Sequence, residues 1–145
     1  MAADANGGWT PAAAVAATRW LADYGVRWLE QPTPAGDLTA MATVRAAARV
    51  PVWADESVRD AASVHAVADA GAADGVHLKL EKAGTVAALT AAVHAARARG
   101  LDVALGQMDC GRLGCATTAQ LAAGLDIAVA ELWAAPTSSA TSPTA

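Results

Sequence analysis

Short apolar runs alternate with longer Ala-rich stretches along this chain, and the two kinds of run differ in period. The stretches 26–30, 51–55, 76–80, 103–108 and 127–132 are short, rich in β-branched or bulky residues and bounded by Gly, Pro or Asp, which predicts strands. Between them, 10–24, 37–49, 60–70, 85–99 and 117–123 carry apolar residues at helical spacing, such as Val44, Ala47 and Ala48. Thr10-Pro11 offers an N-cap with a first-turn proline, while Gly25, Gly71 and Gly100 offer helix stops. Strand–helix alternation with connections this short requires parallel strands and right-handed crossovers.

The unit repeats about every 25 residues, which suits a (β/α) barrel better than an open sheet. A doubly wound sheet is the alternative, and it carries a Gly-rich phosphate turn after its first strand. Gly7-Gly8 lacks that pattern, and Gly106, Gly111 and Gly114 are too widely spaced to form it. The expectation is therefore an α/β chain forming part of a TIM-type barrel over 1–135. The closing stretch 136–145 is small, polar and Pro-bearing, and is expected to be a disordered tail.

Composition narrows the class. The 145 residues are 54% hydrophobic and 17% charged, with a net charge of −4. That is ample apolar surface for a packed core. Without a Lys/Arg cluster to neutralise phosphates, a nucleic-acid partner is not expected. No apolar run is long enough for a membrane span, and the start of the chain has neither the basic region nor the apolar run of a signal peptide. Cys110 and Cys115, with no second Cys/His pair nearby, read as reduced thiols in a cytoplasmic protein.

The sharpest signal is the placement of charge at strand ends. Asp4, Glu30, Asp55 and Lys79 follow one another at separations of 26, 25 and 24 residues, one βα unit each. In a parallel barrel this puts them on neighbouring strands at the C-terminal rim, where barrel active sites are built. Converging carboxylates raise one another's pKa unless a cation lies among them, and a hard divalent ion such as Mg²⁺ resolves the conflict. A lysine beside such a site can have its pKa lowered enough to act as a general base. The bland reading is helix capping, which Asp4, Asp55 and Asp60 could each perform. Four ionisable groups in regular register favour a site. His77 shares strand parity with Lys79 and is expected to point inward as a packed histidine, with His65 and His94 on the surface. Trp28 and Trp53 are expected to fill the barrel, and Trp9 and Trp20 to pack on helices.

Asp4-Ala5-Asn6 with Gly8-Trp9, Glu30-Gln31-Pro32, Ala54-Asp55-Glu56-Ser57 and Lys79-Leu80-Glu81-Lys82-Ala83-Gly84, in that order, resemble the enolase superfamily. The similarity is greatest to its muconate cycloisomerase-like group, which includes dipeptide epimerases and o-succinylbenzoate synthases, and runs from Asp4 to about Leu132. The resemblance implies a Mg²⁺-dependent racemase, epimerase or cycloisomerase that takes the α-proton of a small-molecule carboxylate through a metal-stabilised enolate. It implies that Asp4, Glu30 and Asp55 ligate the metal and Lys79 is the acid/base. Asn6, Gln31, Lys82, Met108 and Asp109 would support the ligands or the substrate.

The resemblance also implies that the chain corresponds to about strands 3 to 8, without the first two strands, their Lys-x-Lys motif and the N-terminal capping domain. Past Met108, where the family often has a Glu, this chain has Asp109-Cys110, and the epimerases' Asp-x-Asp pattern is not evident in Glu131-Leu132-Trp133-Ala134. The stub of strand bearing Asp4 is expected to fray. Six strands leave two sheet edges open, to be filled by a second copy or a complementing fragment. Two other classes stay open: a non-catalytic fragment or split-barrel subunit that needs a partner, and a small protein whose acidic rim binds cations alone.

Overall fold

The computed structural model describes residues 1–108 and 110–133. Six strands lie in the order β1-β2-β3-β4-β5-β6. They are β1 (Ala3–Asp4), β2 (Leu29–Glu30), β3 (Val52–Ala54), β4 (Gly75–Lys79), β5 (Asp102–Gly106) and β6 (Val129–Ala130). Each pairs in parallel with its neighbour in sequence. Helices α1 (Pro11–Asp23), α2 (Leu38–Ala47), α3 (Ala61–Asp69), α4 (Leu80–Ala83), α5 (Val86–Ala98) and α6 (Arg112–Gly124) fill the connections. The result is a curled part of a (β/α) barrel, as the strand–helix alternation predicts. The expected tail at 136–145 lies outside the described residues.

Local chemistry starts the helices where the sequence signals it. Thr10 caps α1 through the Ala13 amide at 3.3 Å, and Asp37 caps α2 through Ala40 at 2.8 Å. Asp60 and Ser63 form a reciprocal capping box on α3, so Asp60 is a cap and not a site residue. Two elements depart from the sequence expectation. Helix α4 is a single turn, too short for a periodic pattern to announce, and Gly84 at φ 79° closes it. Helix α6 begins at Arg112 rather than at 117, and its N-cap Gly111 makes no side-chain cap bond.

Side-chain alternation divides the molecule into two layers. On β4, Val76 and Leu78 face outward into the main core with Val44 and Met41 of α2, Val64 and Val67 of α3, and Leu89 and Val93 of α5. Gly75, His77 and Lys79 take the other face. There Trp28 and Trp53 stack with ring centroids 4.7 Å apart, the barrel-filling role expected of them. Gly75 is what the Trp53 ring requires, because a Cβ there would lie 2.5 Å from Trp53 Cε2. Trp9 packs half-buried against the core as expected, whereas Trp20 is 50% exposed.

The short β1 strand does not simply fray. Its ladder to the β2 segment continues through Ala5 N–H to the Glu30 carbonyl (3.0 Å), Gly7 N–H to Gln31 (2.7 Å) and Trp9 N–H to Pro32 (3.1 Å). The expectation from strand length missed these bonds because they lie in the turn after the strand. Among the described residues no helix is long and apolar enough to cross a membrane.

Candidate metal centre and acid/base site

Parallel pairing in register sets Asp4 beside Glu30 and Glu30 beside Trp53, so the strand-end carboxylates share one rim. Glu30 and Asp55 are buried at 4% and 2% exposure, unusual for carboxylates. Asp4 is exposed, with Oδ1 accepting from the Asn6 amide (2.8 Å) and Oδ2 from Asn6 Nδ2 (2.9 Å). Asn6 pays a left-handed backbone, φ 46°, for that turn. Partial desolvation by the surrounding rim, together with the charges of Glu30 and Asp55, lifts the Asp4 carboxyl above its ordinary value despite the Asn6 amide. The sequence expectation is that the carboxylates raise one another, and Asp55 departs from it, lying below its ordinary value.

Asp55 is the hub. Lys79 Nζ donates to its Oδ2 at 2.5 Å, and Lys82 Nζ donates to its Oδ1. Lys82 also donates to the Asp55 carbonyl (2.7 Å) and the His77 carbonyl (3.0 Å). Burial alone would raise the Asp55 carboxyl, but Lys82 and Lys79 outweigh it and hold it below the usual carboxylate value. Asp55 thus does not cap a helix. Burial pulls Lys82 below the ordinary lysine value. Lys79 differs from the sequence expectation: burial opposes its charge, yet the Asp55 hydrogen bond and charge leave it raised rather than lowered. The reason is direct ion pairing, which spacing along the chain does not reveal.

Gln31 is fully buried and ties the rim together. Its Oε1 accepts from the Asp55 amide (3.0 Å) and the Ser57 amide (3.1 Å), while Nε2 donates to Ser57 Oγ and the Thr33 carbonyl, both at 2.9 Å. Met108 is 54% exposed beyond β5, and Asp109 lies outside the described residues. His77 points inward as expected, and its Nδ1 meets Glu30 Oε1 at 2.7 Å. Sequence reading placed the ring but not this contact.

One donor atom each from Glu30, Asp55 and buried His77 lie within 4.8 Å of one another. The two buried carboxylates of this cluster are oxygen donors that suit a hard divalent cation. Asp4, the third ligand expected from the sequence, is not part of the cluster and bonds Asn6 instead.

A family model described as Enolase C-terminal domain-like matches residues 1–140. The chain belongs to this family. Among curated enolase-family relatives, a hydrophobic dipeptide epimerase of Flavobacteria bacterium (strain MS024-2A) is 34% identical over 123 residues, covering 85% of this chain and 35% of the relative. The L-Ala-D/L-Glu epimerase of Bacillus subtilis (strain 168) is 35% identical over 122 residues, covering 83% and 33%. The solved dipeptide epimerase from Enterococcus faecalis V583, complexed with Mg and the dipeptide L-Leu-L-Tyr, superposes with a TM-score of 0.85 at 32% identity over 89% of this chain and 37% of that one. The chain spans about a third of the length of these relatives.

Proposed function

We propose that this chain carries the metal-binding and proton-transferring face of a Mg²⁺-dependent racemase, epimerase or cycloisomerase acting on a small-molecule carboxylate in the cytoplasm. Asp4, Glu30 and Asp55 would hold the cation, with Asn6 and Gln31 orienting Asp4 and Asp55. Met108 and Asp109, beyond β5, would border the substrate. The observation that carries the reading is the contact of Lys79 Nζ with Asp55 Oδ2, which puts an acid/base group against an expected metal ligand. The enzymes whose structures and sequences this chain resembles support the same chemistry.

Held by these carboxylates, a divalent cation would offset the negative charge that develops on the substrate carboxylate as the α-proton leaves. As a neutral amine, Lys79 would take the α-proton at Nζ, become an ammonium and return a proton to the same face of that carbon, which exchanges the proton. Inversion in a racemase or epimerase needs a second proton donor on the opposite face. The Asp55 charge strengthens the hold of Lys79 on its proton, so with that charge shared by a cation Nζ would hold the proton less tightly and give it up to solvent before the α-proton is taken. Lys82 keeps Asp55 in place through its backbone carbonyl during that exchange.

The test is α-proton exchange of L-Leu-L-Tyr in D₂O with Mg²⁺, followed by NMR, for the wild type and Lys79→Met. Exchange that needs both Mg²⁺ and Lys79 supports the reading, and exchange retained by Lys79→Met contradicts it. A second reading, a subunit that acts only with further strands, rests on one observation. Strands β1 and β6 stand at opposite ends of the sheet order, each paired on one side among the described residues. Exchange that appears only when a fragment supplying the remaining strands is added would select it.

A further inference from the structure

The interior partner of Glu30 is a histidine where an apolar residue would fill the same space. We infer that His77 is a positioning residue that aims the Glu30 carboxylate at the cation, an inference that rests on the metal centre proposed above. An ionised carboxylate only accepts hydrogen bonds, so Nδ1 of His77 carries the proton in its 2.7 Å contact with Glu30 Oε1. The other oxygen, Oε2, accepts from Trp28 Nε1 at 3.4 Å. Both donors belong to buried side chains, and a carboxylate oxygen that accepts one hydrogen bond keeps a second lone pair.

The seat of the imidazole is built for it. His77 is 2% exposed and lies between Val76 and Leu78, which anchor β4 in the outer core. Across the sheet it pairs with Ala104, and a Cβ on nearby Gly106 would overlap the ring at Nε2, Cε1 and Cδ2. Burying a polar ring is costly unless it is hydrogen-bonded. Nε2 has no hydrogen-bond partner among the described residues and lies 4.0 Å from Glu131 Oε2, so the bond to Glu30 is the one the seat secures. The same residue reaches Asp55 by a second route, since its carbonyl accepts from Lys82, which in turn holds the Asp55 carboxylate. One residue on β4 therefore connects two ligands borne on β2 and after β3.

Loss of a hydrogen-bond partner behind a ligand typically costs about 10–100-fold in metal affinity. The test is Mg²⁺ calorimetry on the full chain as wild type, His77→Asn and His77→Phe, with thermal melts to confirm folding. Asparagine keeps an N–H at the δ position and loses volume, whereas phenylalanine keeps the ring and loses the donor. The inference predicts binding close to wild type for H77N and about 10–100-fold weaker binding for H77F. Should H77F not fold, H77L replaces it with the same expectation. Unchanged affinity in the donor-free variant, or equal losses in both, means the ring only packs and overturns the inference. Glu30→Ala separates the two readings. Wild-type binding that this change abolishes, with H77F unaffected, sinks the role of His77 alone, while a folded wild type that binds no Mg²⁺ sinks the metal centre and the inference together.

Discussion

Lys79 Nζ donates to Asp55 Oδ2 at 2.5 Å, while Lys82 holds the other oxygen of the same carboxylate. The proposed acid/base and ligand functions thus meet at one side chain, and the carboxylate charge raises the lysine above its ordinary value, against the pull of burial. Replacing Lys79 with Met separates them. Mg²⁺ affinity should be retained or strengthened, since a competing cation has gone. Proton exchange should fall by roughly 10²–10⁴, the range for loss of a positioned general base. Calorimetry and D₂O exchange on one preparation check both halves.

Removing the hub has a structural cost. Asp55→Ala leaves Lys79 and Lys82, at 15% and 16% side-chain exposure, without their carboxylate. Breaking a buried pair this way costs about 3 kcal/mol, the low end of the usual range because both ammonium heads reach solvent. Urea denaturation in the absence of divalent ions should show the loss as a lower midpoint at unchanged slope.

Two of the three rim carboxylates, Asp55 and Asp4, should respond to acid with opposite signs. Asp55 is held below its unfolded value, so its contribution to stability is present above about pH 4 and lost as pH falls through its folded value. Asp4 is raised, so its charge opposes folding above its folded value, and protonation on acidification relieves that. Asp55→Asn should flatten the acid limb of a stability–pH profile. Asp4→Asn should stabilise the metal-free chain at pH 7 while weakening Mg²⁺ binding. Thermal melts from pH 2.5 to 8 decide between these signs.

The inner layer yields a packing test away from the carboxylates. Gly75→Ala puts a methyl 2.5 Å from Trp53 Cε2, against a ring stacked on Trp28. Overpacking of this kind costs about 1–3 kcal/mol. Both the melting temperature and the near-UV circular dichroism of the tryptophan pair should change.

Much of this was readable in the order of residues. The strand period and the carboxylate spacing locate the rim, because parallel pairing converts equal sequence intervals into neighbouring strand ends. Parity with Lys79 turns His77 inward, and Trp28 and Trp53 were legible as bulk to fill the barrel. What the spacing could not show depends on distances between strands. The His77–Glu30 contact spans 47 residues, and the raised state of Lys79 follows from an ion pair across 24. Asp60 looked like Asp55 in sequence, yet Ser63 three residues on makes it a cap. That pairing within one turn is a local signal that sequence inspection can use.

The central claim is that Asp4, Glu30 and Asp55 form one cation site beside Lys79. Mg²⁺ titration by calorimetry on the folded chain, with Glu30→Ala as control, tests it most directly. The account predicts millimolar or tighter binding that Glu30→Ala abolishes. A folded chain that binds no Mg²⁺, or binds it equally well without the Glu30 carboxylate, would contradict it.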